Sequence, residues 1–414
     1  MKRLLISAEY LANTGFSTVA ENLIGILKPH FDITVLDYSR RHSYSYCING
    51  VTVIANSSTL PNDTFGVDVI DKIVGLYDYF LIINDIWNID TILTELRVRD
   101  NIAISPTRIY VEKKEPVKIV LYFPIDASQH SASWYKNTDI VMSMVTYTQF
   151  GYRVVKDSIE QGFGSKEHQK EALSKLSIIP HGVDTGSFFP LLSKRAARVE
   201  LFNKSDFSNS FIVLNANYNQ PRKRLDITMR AFASFLKSTN AKDAYLYMHT
   251  KQNGALDIYQ YAKRLGIRDN LILSADPSNP TERTVFDLHT MNLLYNACDV
   301  GINTSMGEGW GLVSCEHAAT GAPQIVPNHS ACAEIFTEDE ALFIDIKGEY
   351  LQDGINTLAL LPSVESASYQ INKLYWDRKM VANMGEVCAD KFSKYSWSSP
   401  MIAGEWLKIF QSPI

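Results

Sequence analysis

Short apolar runs recur along the first half of the chain, and stretches with helical periodicity separate them. Apolar runs of this length are typical of buried strands. Strands that alternate with helices predict a parallel sheet covered by helices on both faces. The candidate strands are residues 4–6, 33–36, 51–54, 80–83, 118–121, 139–142 and 177–179.

The same alternation restarts after a polar, basic stretch at residues 191–210, which we expect to be a linker with a short helix. A helix is predicted over residues 225–237, because Ile227, Ala231 and Phe235 recur at four-residue spacing on one face. The chain is therefore predicted to be an α/β protein with two architecturally similar halves. The candidate strands of the second half are 211–214, 245–248, 271–273, 300–302, 324–326 and, as the expected last one, 342–344.

Composition narrows the class of protein. The 414 residues are 46% hydrophobic and 21% charged, which is typical of a globular chain of two or three domains. A net charge of −5 argues against nucleic-acid binding by bulk charge, although a local basic groove stays open. The first apolar run ends at Glu9, so it is interpreted as a strand and not as a signal peptide. Five scattered cysteines and no long apolar run predict a cytoplasmic protein without a membrane span.

Candidate chemistry is concentrated in a glycine-rich loop. Glu308 lies between Gly307 and Gly309, and Glu316 follows eight positions later in a predicted helix that ends near Gly321. The loop directly follows the strand at 300–302. Ligands of open α/β sheets bind at the carboxyl ends of strands and beside helix N-termini, where glycines let backbone N–H groups approach an anion. The pattern predicts a site for an anionic ligand.

This motif resembles that of the retaining glycosyltransferases of family 4, which have a GT-B fold of two Rossmann-like domains facing across a cleft. Their signature is a glutamate, seven residues and a second glutamate. The resemblance implies that Glu308 lies at the donor sugar and that Glu316 binds the nucleotide ribose. It is strongest over about residues 175–335. The backbone that follows Glu308 would hold the donor diphosphate, at Gly309, Trp310, Gly311 and Leu312.

The resemblance also implies the domain limits. Residues 1–185 would form an acceptor domain, completed by a C-terminal helix at about 396–414, and residues 186–395 would form the nucleotide-sugar domain. His181 lies at the predicted boundary, in a segment similar to the inter-domain turn of the family, and is interpreted as structural.

Basic residues after the strand at 211–214 are expected to hold the diphosphate. In the family a lysine stands three residues before an aspartate, and Lys223 and Asp226 fit that spacing. The family also has an arginine five residues before this lysine, where this chain has Tyr218. Arg222 and Arg224 are both candidates to replace it, and the spacing does not decide between them. A cation is needed here because negative charge grows on the leaving diphosphate.

Three further candidates lie in the first half. Gly15 follows the first strand, beside Thr18 and Glu21, whose spacing predicts a capping box and a helix start. Asp126 follows the strand at 118–121, near the position where many family members have a histidine that contacts the donor sugar. Asp126 is a candidate to contact the sugar or the acceptor, and Asp85 is a candidate for the acceptor. For both aspartates an ordinary surface-loop role stays open.

The resemblance therefore implies a retaining glycosyltransferase with a UDP- or GDP-sugar donor. No motif has metal-ligand spacing, so we expect the reaction to be metal-independent and to need no cofactor. The acceptor would be a hydroxyl of a glycan, glycolipid, protein or modified nucleobase. Two alternatives stay open: a GT-B sugar-nucleotide epimerase or hydrolase, and a nucleotide-binding protein that has lost activity. Basic residues at Lys113, Lys114, Lys118 and 194–198 are candidates to contact a phosphate-bearing acceptor or a membrane surface. The donor sugar and the oligomeric state are not readable from the sequence.

Overall fold

The computed structural model describes residues 1–42, 44–102, 116–162, 164–202 and 207–411. The chain divides into two compact units. The first unit comprises Met1–Ile125, Gln129–His181 and Trp397–Ile414, and the second unit comprises Asp126–Ser128 and Gly182–Ser396. No helix in the described part of the chain is long and apolar enough to cross a membrane.

The first unit contains, within the described residues, an eight-stranded sheet in the order β3-β4-β2-β1-β5-β6-β7-β8. Neighbouring strands are parallel except β3 and β4, which form an antiparallel pair at one edge. The strands are β1 (Lys2–Ala8), β2 (Phe31–Asp37), β3 (Ser45–Ile48), β4 (Val51–Ala55), β5 (Tyr79–Ile83), β6 (Lys118–Tyr122), β7 (Val141–Thr146) and β8 (Leu176–Ile178). The helices are α1 (Gly15–Leu27), α2 (Val67–Ile73), α3 (Ile86–Ile102), α4 (Gln149–Gly162) and α5 (Lys166–Ser174).

The second unit contains, again counting described residues only, a six-stranded parallel sheet in the order β11-β10-β9-β14-β15-β16 and two separate hairpins, β12–β13 and β17–β18. Its strands are β9 (Phe211–Asn215), β10 (Ala244–Met248), β11 (Leu271–Leu273), β12 (Ala275–Asp276), β13 (Asn279–Arg283), β14 (Val300–Ile302), β15 (Gln324–Pro327), β16 (Ala341–Ile344), β17 (Ile346–Leu351) and β18 (Leu358–Pro362). Its helices are α6 (Lys194–Phe202), α7 (Leu225–Thr239), α8 (Ile258–Leu265), α9 (Leu288–Ala297), α10 (Leu312–Ala319), α11 (Cys332–Ile335), α12 (Val364–Trp376) and α13 (Arg378–Lys394).

The second sheet has the strand order 3-2-1-4-5-6 that defines the doubly wound Rossmann arrangement, and the parallel strands of the first sheet have the same order with a seventh strand added at the β8 edge. In the first unit the direction of winding reverses between β1 and β5, and in the second unit it reverses between β9 and β14. Loops at the carboxyl ends of these central strands diverge to opposite faces, and the crevice between them is where such sheets bind ligands. Each unit therefore has one expected ligand position.

The apolar pattern explains why these elements form. Leu4, Leu5 and Ile6 of β1 are fully buried, and β1 pairs with β2 and β5 on its two sides. The predicted helix at 225–237 is confirmed as α7, and its predicted apolar face is buried in the core of the second unit. Arg230 and Lys237 of α7 are exposed, as expected for a helix that covers one face of a sheet, whereas Thr228 is buried.

Two local predictions were wrong. The expected last strand, β16, is followed by the antiparallel hairpin β17–β18, whose first strand is largely exposed and gives little apolar signal. Helix α1 does start at Gly15, but its N-cap is Thr14, whose hydroxyl accepts a hydrogen bond from Ser17 N at 3.2 Å. Glu21 accepts from the Ser17 hydroxyl instead of forming a box with Thr18.

The C-terminal helix α14 (Pro400–Gln411) packs within the first unit. The Tyr79 hydroxyl donates to the backbone oxygen of Phe410 at 2.6 Å, and Trp406 is fully buried. His181 lies in an aromatic cluster beside this helix, with Tyr147 and Trp397 as ring neighbours. Burial lowers the pKa of His181 to about 3, so the ring is neutral at physiological pH and serves packing.

Candidate functional site

The loop between β14 and α10, residues 303–311, is folded tightly at the carboxyl end of the second sheet. Asn303 Oδ1 accepts from Ser305 N at 2.8 Å, and the Ser305 hydroxyl donates to the Gly307 oxygen at 2.7 Å. A side chain at position 307 is impossible without rearrangement, since a Cβ would lie 1.9 Å from the backbone oxygen of Asp126. Glycine is therefore required at position 307 for the neighbouring Glu308 to take its place.

Glu308 is buried and held by a cation and an amide. Its carboxylate accepts from Lys223 Nζ at 2.6 and 2.8 Å and from Asn303 Nδ2 at 3.0 Å. Burial alone would raise the pKa of Glu308, but the charges of Lys223 and Arg222 and these hydrogen bonds outweigh it and lower the pKa to about 2. Glu308 is therefore ionised at any physiological pH. The sequence analysis named both partners of this ion pair, and the structure brings them together.

Arg222 and Asp126 extend this cluster. Arg222 Nε lies 3.2 Å from Asp126 Oδ2, and its Nη1 lies 3.5 Å from Glu308 Oε2 and donates to the Gly307 oxygen. Asp126 belongs to the second unit, although the sequence analysis had put it in residues 1–185. The reason is its backbone, which packs directly against Gly307.

Arg222 and Arg224 have different surroundings in the structure. Arg224 has a left-handed backbone (φ +46°) between the 3-10 turn Pro221–Lys223 and α7, and its guanidinium forms two 2.8 Å hydrogen bonds with Asp226. This bidentate ion pair holds the Arg224 side chain at the first turn of α7. Arg222 is the arginine that lies beside Glu308.

Helix α10 begins at Leu312 directly after the loop. Its N-cap is Gly311 (φ +98°), and no side chain caps its first turn. Glycine is suited to this left-handed position. Gly309 and Trp310 are buried just before it. The open N–H groups and the helix dipole make this end attractive to an anion.

Glu316 lies one turn further along α10. Its Oε2 accepts from the Tyr295 hydroxyl of α9 at 2.9 Å. Burial raises the pKa of Glu316 to about 7, with a further increase from Asp184, while the Tyr295 hydrogen bond and Arg283 act in the opposite direction. The protonation of Glu316 is therefore expected to change near neutral pH.

Arg283 is a cation that the sequence analysis missed. It ends the hairpin strand β13, and its guanidinium lies 4.8 Å from the ring centroid of Tyr218. It is close enough to lower the pKa of both His249 and Glu316 by its charge. Among the described residues Arg283 makes no ion pair with a carboxylate. An arginine guanidinium thus lies beside the ring of Tyr218.

His329 and Ser330 were also missed, because they follow β15 and no motif marks them. The Ser330 hydroxyl accepts from Glu308 N at 3.1 Å, and Ser330 has a left-handed backbone (φ +49°). Burial lowers the pKa of His329 to about 4, although the Glu308 charge raises it. A neutral imidazole thus lies beside Glu308.

Two further histidines, His249 and His317, are buried in the second unit. His317 Nε2 forms a 3.1 Å hydrogen bond with the backbone oxygen of Tyr295. His249 packs against Phe286, with ring centroids 4.8 Å apart. Both have their pKa lowered to about 3 by burial, so they are packed, neutral side chains.

The remaining candidates lie elsewhere. Gly15 and Asp85 belong to the first unit, where Asp85 follows β5 and lines a pocket. In the basic stretch 194–198, Lys194 and Arg198 pair with Asp299 at 2.9 and 2.6 Å. Arg198 is buried and holds backbone oxygens as well, so it is structural. Lys113 and Lys114 lie outside the described residues.

Comparison with known proteins identifies the fold. No protein-family model matches the sequence. Over 154 residues the chain is 29% identical to the D-inositol 3-phosphate glycosyltransferase of Segniliparus rotundus, a match that spans 36% of this chain and 31% of that relative. The structure is similar to that of Anabaena HepE in complex with UDP and glucose, with a TM-score of 0.68, 14% identity and all of both chains covered. It is also similar to sucrose-phosphate synthase from Thermosynechococcus elongatus, with a TM-score of 0.72, 12% identity and 99% and 98% of the two chains covered.

These neighbours are GT-B glycosyltransferases, and the chain has their fold, with two Rossmann-like domains. At such identities the similarity establishes the architecture alone. The chemistry has to be argued from the residues of the site.

Proposed function

We propose that the protein is a retaining, metal-independent glycosyltransferase of the family 4 type that transfers a sugar from a UDP- or GDP-linked donor to a hydroxyl acceptor. One observation carries the proposal. The Lys223–Glu308 pair, the uncapped N-terminus of α10 and Glu316 follow one another across the switch point of the second unit. The complexes of Anabaena HepE with UDP and UDP-glucose support a UDP donor.

Each group has a task that its chemistry suits. Glu316 would accept hydrogen bonds from the ribose hydroxyls, and the N–H groups from Gly309 to Leu312 would bind the diphosphate. Glu308, with Asp126 near it, would bind hydroxyls of the donor sugar. As the anomeric carbon–oxygen bond breaks, Lys223 and Arg222 would stabilise the negative charge on the leaving phosphate.

Retention of the anomeric configuration would follow if the acceptor attacks the same face of the donor sugar from which the leaving group departs. The acceptor oxygen bonds to the anomeric carbon as the carbon–phosphate-oxygen bond breaks, and the acceptor proton passes to the leaving phosphate. Glu308 is then a sugar-binding group and not a nucleophile.

The four free cysteines that are buried and the one that is exposed support a reducing, cytoplasmic environment.

Arg283 supplies a charge that the rest of the site lacks. The positive charges of Lys223 and Arg222 are balanced by the negative charges of Glu308 and Asp126, so this cluster is neutral overall. A diphosphate brings at least two negative charges. Arg283, on the β12–β13 hairpin beside Tyr218, is placed to offset part of that charge.

Replacing Arg283 by methionine is expected to weaken UDP binding about tenfold or more, because a charge-assisted hydrogen bond to phosphate is lost. Uridine, which has no phosphate, should bind almost unchanged. Isothermal titration calorimetry measures both. The matched control is Arg268→Met, which removes an arginine stacked 4.1 Å over Tyr259 in the same unit. Equal UDP affinity in the two variants would contradict the role of Arg283.

The raised pKa of Glu316 predicts a pH-dependent affinity. Only the ionised carboxylate accepts two ribose hydrogen bonds, so affinity should rise as pH increases through about 7. Between about pH 6 and pH 8 the gain should be about tenfold, since each pH unit below the pKa costs a factor of ten in the ionised form. Uridine is the right probe, because the phosphate of UDP titrates near pH 6. A flat profile in wild type, or the same slope in Glu316→Gln, would refute it.

The proposal is tested by thermal shift and product analysis together. The protein is screened against UDP, GDP, ADP and dTDP and their sugars, with and without a chelator. We expect a rise in melting temperature with UDP or GDP that the chelator leaves unchanged, and a product with the anomeric configuration of the donor. Loss of the shift on chelation would contradict metal independence, and an inverted product would contradict retention. Consumption of the donor at full rate without an acceptor would favour a hydrolase or epimerase. Binding of the nucleotide without turnover would favour a protein that has lost activity.

A further inference from the structure

A pocket of about 430 Å³ lies at the switch point of the first unit. Its walls come from the loops after three adjacent parallel strands: Glu9 follows β1, Tyr38 and Ser39 follow β2, and Asn84 and Asp85 follow β5. Its volume is within the range of about 300–1,000 Å³ that small-molecule sites have. It occupies in the first unit the place that the Lys223–Glu308 cluster occupies in the second.

One polar group in this pocket has an unused hydrogen bond. Asn84 is only 3% exposed, and its Oδ1 accepts from Asp85 N at 2.8 Å and from Asn88 Nδ2 at 2.9 Å. These two donors identify the oxygen, so the other atom is the amino group. Among the described residues, Asn84 Nδ2 has no partner. A buried donor without a partner is costly, and an oxygen of a ligand would satisfy it.

The charges of the pocket argue against an anionic ligand. Glu9 and Asp85 contribute two carboxylates, and Arg41 contributes the one guanidinium among its described lining residues. Arg41 donates to the backbone oxygen of Asp63 at 2.9 Å, so it is already engaged. The lining therefore has a net negative charge that would repel a phosphate. Carboxylates are, by contrast, good acceptors for hydroxyl donors.

Aromatic rings complete the lining. Tyr38 and Phe65 pack edge to face with centroids 5.6 Å apart, and Phe16 lies at the start of α1. Burial raises the pKa of Tyr38, and the nearby charges of Glu9 and Asp85 raise it further, so its hydroxyl keeps its proton and can donate. Carboxylates and amides between aromatic faces suit a ring with hydroxyls on its edge and C–H groups on its faces.

A second aromatic group follows Arg41 in the chain. The rings of His42 and Tyr44 stack with centroids 3.8 Å apart, and Tyr46 lies 6.1 Å from His42. Tyr44 is 64% exposed, and His42 covers one face of its ring. Arg40 holds this segment to the loop after β1 through the Leu11 oxygen at 2.9 Å. The exposed ring is available to stack on a ligand that extends out of the pocket.

We propose that the pocket binds the acceptor, and that the acceptor is a neutral saccharide of at least two rings. Its terminal sugar enters the pocket, where Glu9 and Asp85 accept from its hydroxyls and Asn84 Nδ2 donates to one of its oxygens. The next ring stacks on Tyr44. That the bound saccharide is the acceptor of the reaction rests on the proposed function. That the pocket binds a neutral saccharide does not depend on it.

The test is titration calorimetry on the intact protein with a panel of neutral monosaccharides and disaccharides of gluco, manno and galacto configuration, and with the corresponding sugar 6-phosphates. We expect a neutral disaccharide to bind at least tenfold more tightly than its phosphate. Asn84→Asp keeps the Oδ1 acceptor and removes the amino donor, so it should weaken that binding about tenfold. Asn22→Asp, an equivalent change on α1 outside the pocket, should have no effect. Tyr44→Ala should weaken the disaccharide threefold to tenfold and spare the monosaccharide.

Tighter binding of the phosphates, equal affinities in the two asparagine variants, or no binding of any neutral saccharide would overturn the inference. UDP is titrated into the same preparation to separate the two proposals. Saccharide binding that depends on Asn84, without any nucleotide binding, would refute the glycosyltransferase and keep the saccharide site. UDP binding and transfer to an acceptor that is not a saccharide would do the reverse.

Discussion

Replacing Lys223 by methionine is expected to destabilise the second unit by about 3 kcal/mol, at the lower end of the range for breaking a buried pair. The substitution leaves the Glu308 carboxylate buried with Asn303 at 3.0 Å and Arg222 at 3.5 Å as its remaining partners. Denaturant unfolding measures the loss. The same variant should lose donor turnover almost completely, because the cation facing the leaving phosphate is gone.

The loss of stability should depend on pH in a defined direction. In the wild type the pKa of Glu308 is lowered from 4.5 to about 2, so its contribution is present above about pH 4.5 and disappears as pH falls towards 2. Without Lys223, burial dominates and raises the pKa of Glu308. The variant should therefore be less stable relative to wild type at pH 8 than at pH 5. A difference that is constant across this range would show that Glu308 is not the group left uncompensated.

Two further variants separate stability from function. Lys223→Met combined with Glu308→Gln removes both charges, so it should recover most of the stability and none of the turnover. Lys391→Met breaks a comparable pair with Glu340 at 3.1 Å in the same unit, away from the site. It should lower stability and leave UDP affinity unchanged. Restored turnover in the double variant would exclude Lys223 from the reaction.

Glu308→Gln is expected to lower kcat by about 10²–10³-fold, as the loss of one charged contact to the reacting sugar commonly does. UDP affinity should be unchanged or higher, because Lys223 no longer shares its charge with a carboxylate. Steady-state kinetics with a saturating acceptor and calorimetry with UDP measure the two effects. Glu340→Gln, a buried carboxylate paired with a lysine outside the site, is the control. A kcat near the wild-type value would remove Glu308 from the donor sugar.

Elements with a local signal were predictable from the sequence. The amphipathic face of α7 and the glycine-rich loop before α10 are each written within about fifteen consecutive residues, and the structure has both. The Lys223–Glu308 contact joins residues 85 positions apart, and no periodicity indicates such a pair. The resemblance to a family named both residues as donor-site candidates, and the structure shows that they form an ion pair.

What escaped prediction depends on tertiary contacts. The assignment of Asp126 to the second unit comes from backbone packing against Gly307, which no pattern of residue types encodes. The N-cap of α1 is Thr14 and not Thr18, because a sequence pattern does not locate the end of a helix to within a few residues. The unsatisfied amino group of Asn84 becomes visible only when its two donors are known.

The stacking of Arg283 on Tyr218 has a consequence for how genomes are annotated. A comparison that scores residues column by column sees only the aromatic side chain at position 218. The guanidinium is nevertheless present at that point in space, delivered by a hairpin more than sixty residues later in the chain. A search for positive charge around the site in three dimensions therefore finds a cation that a comparison of aligned positions misses.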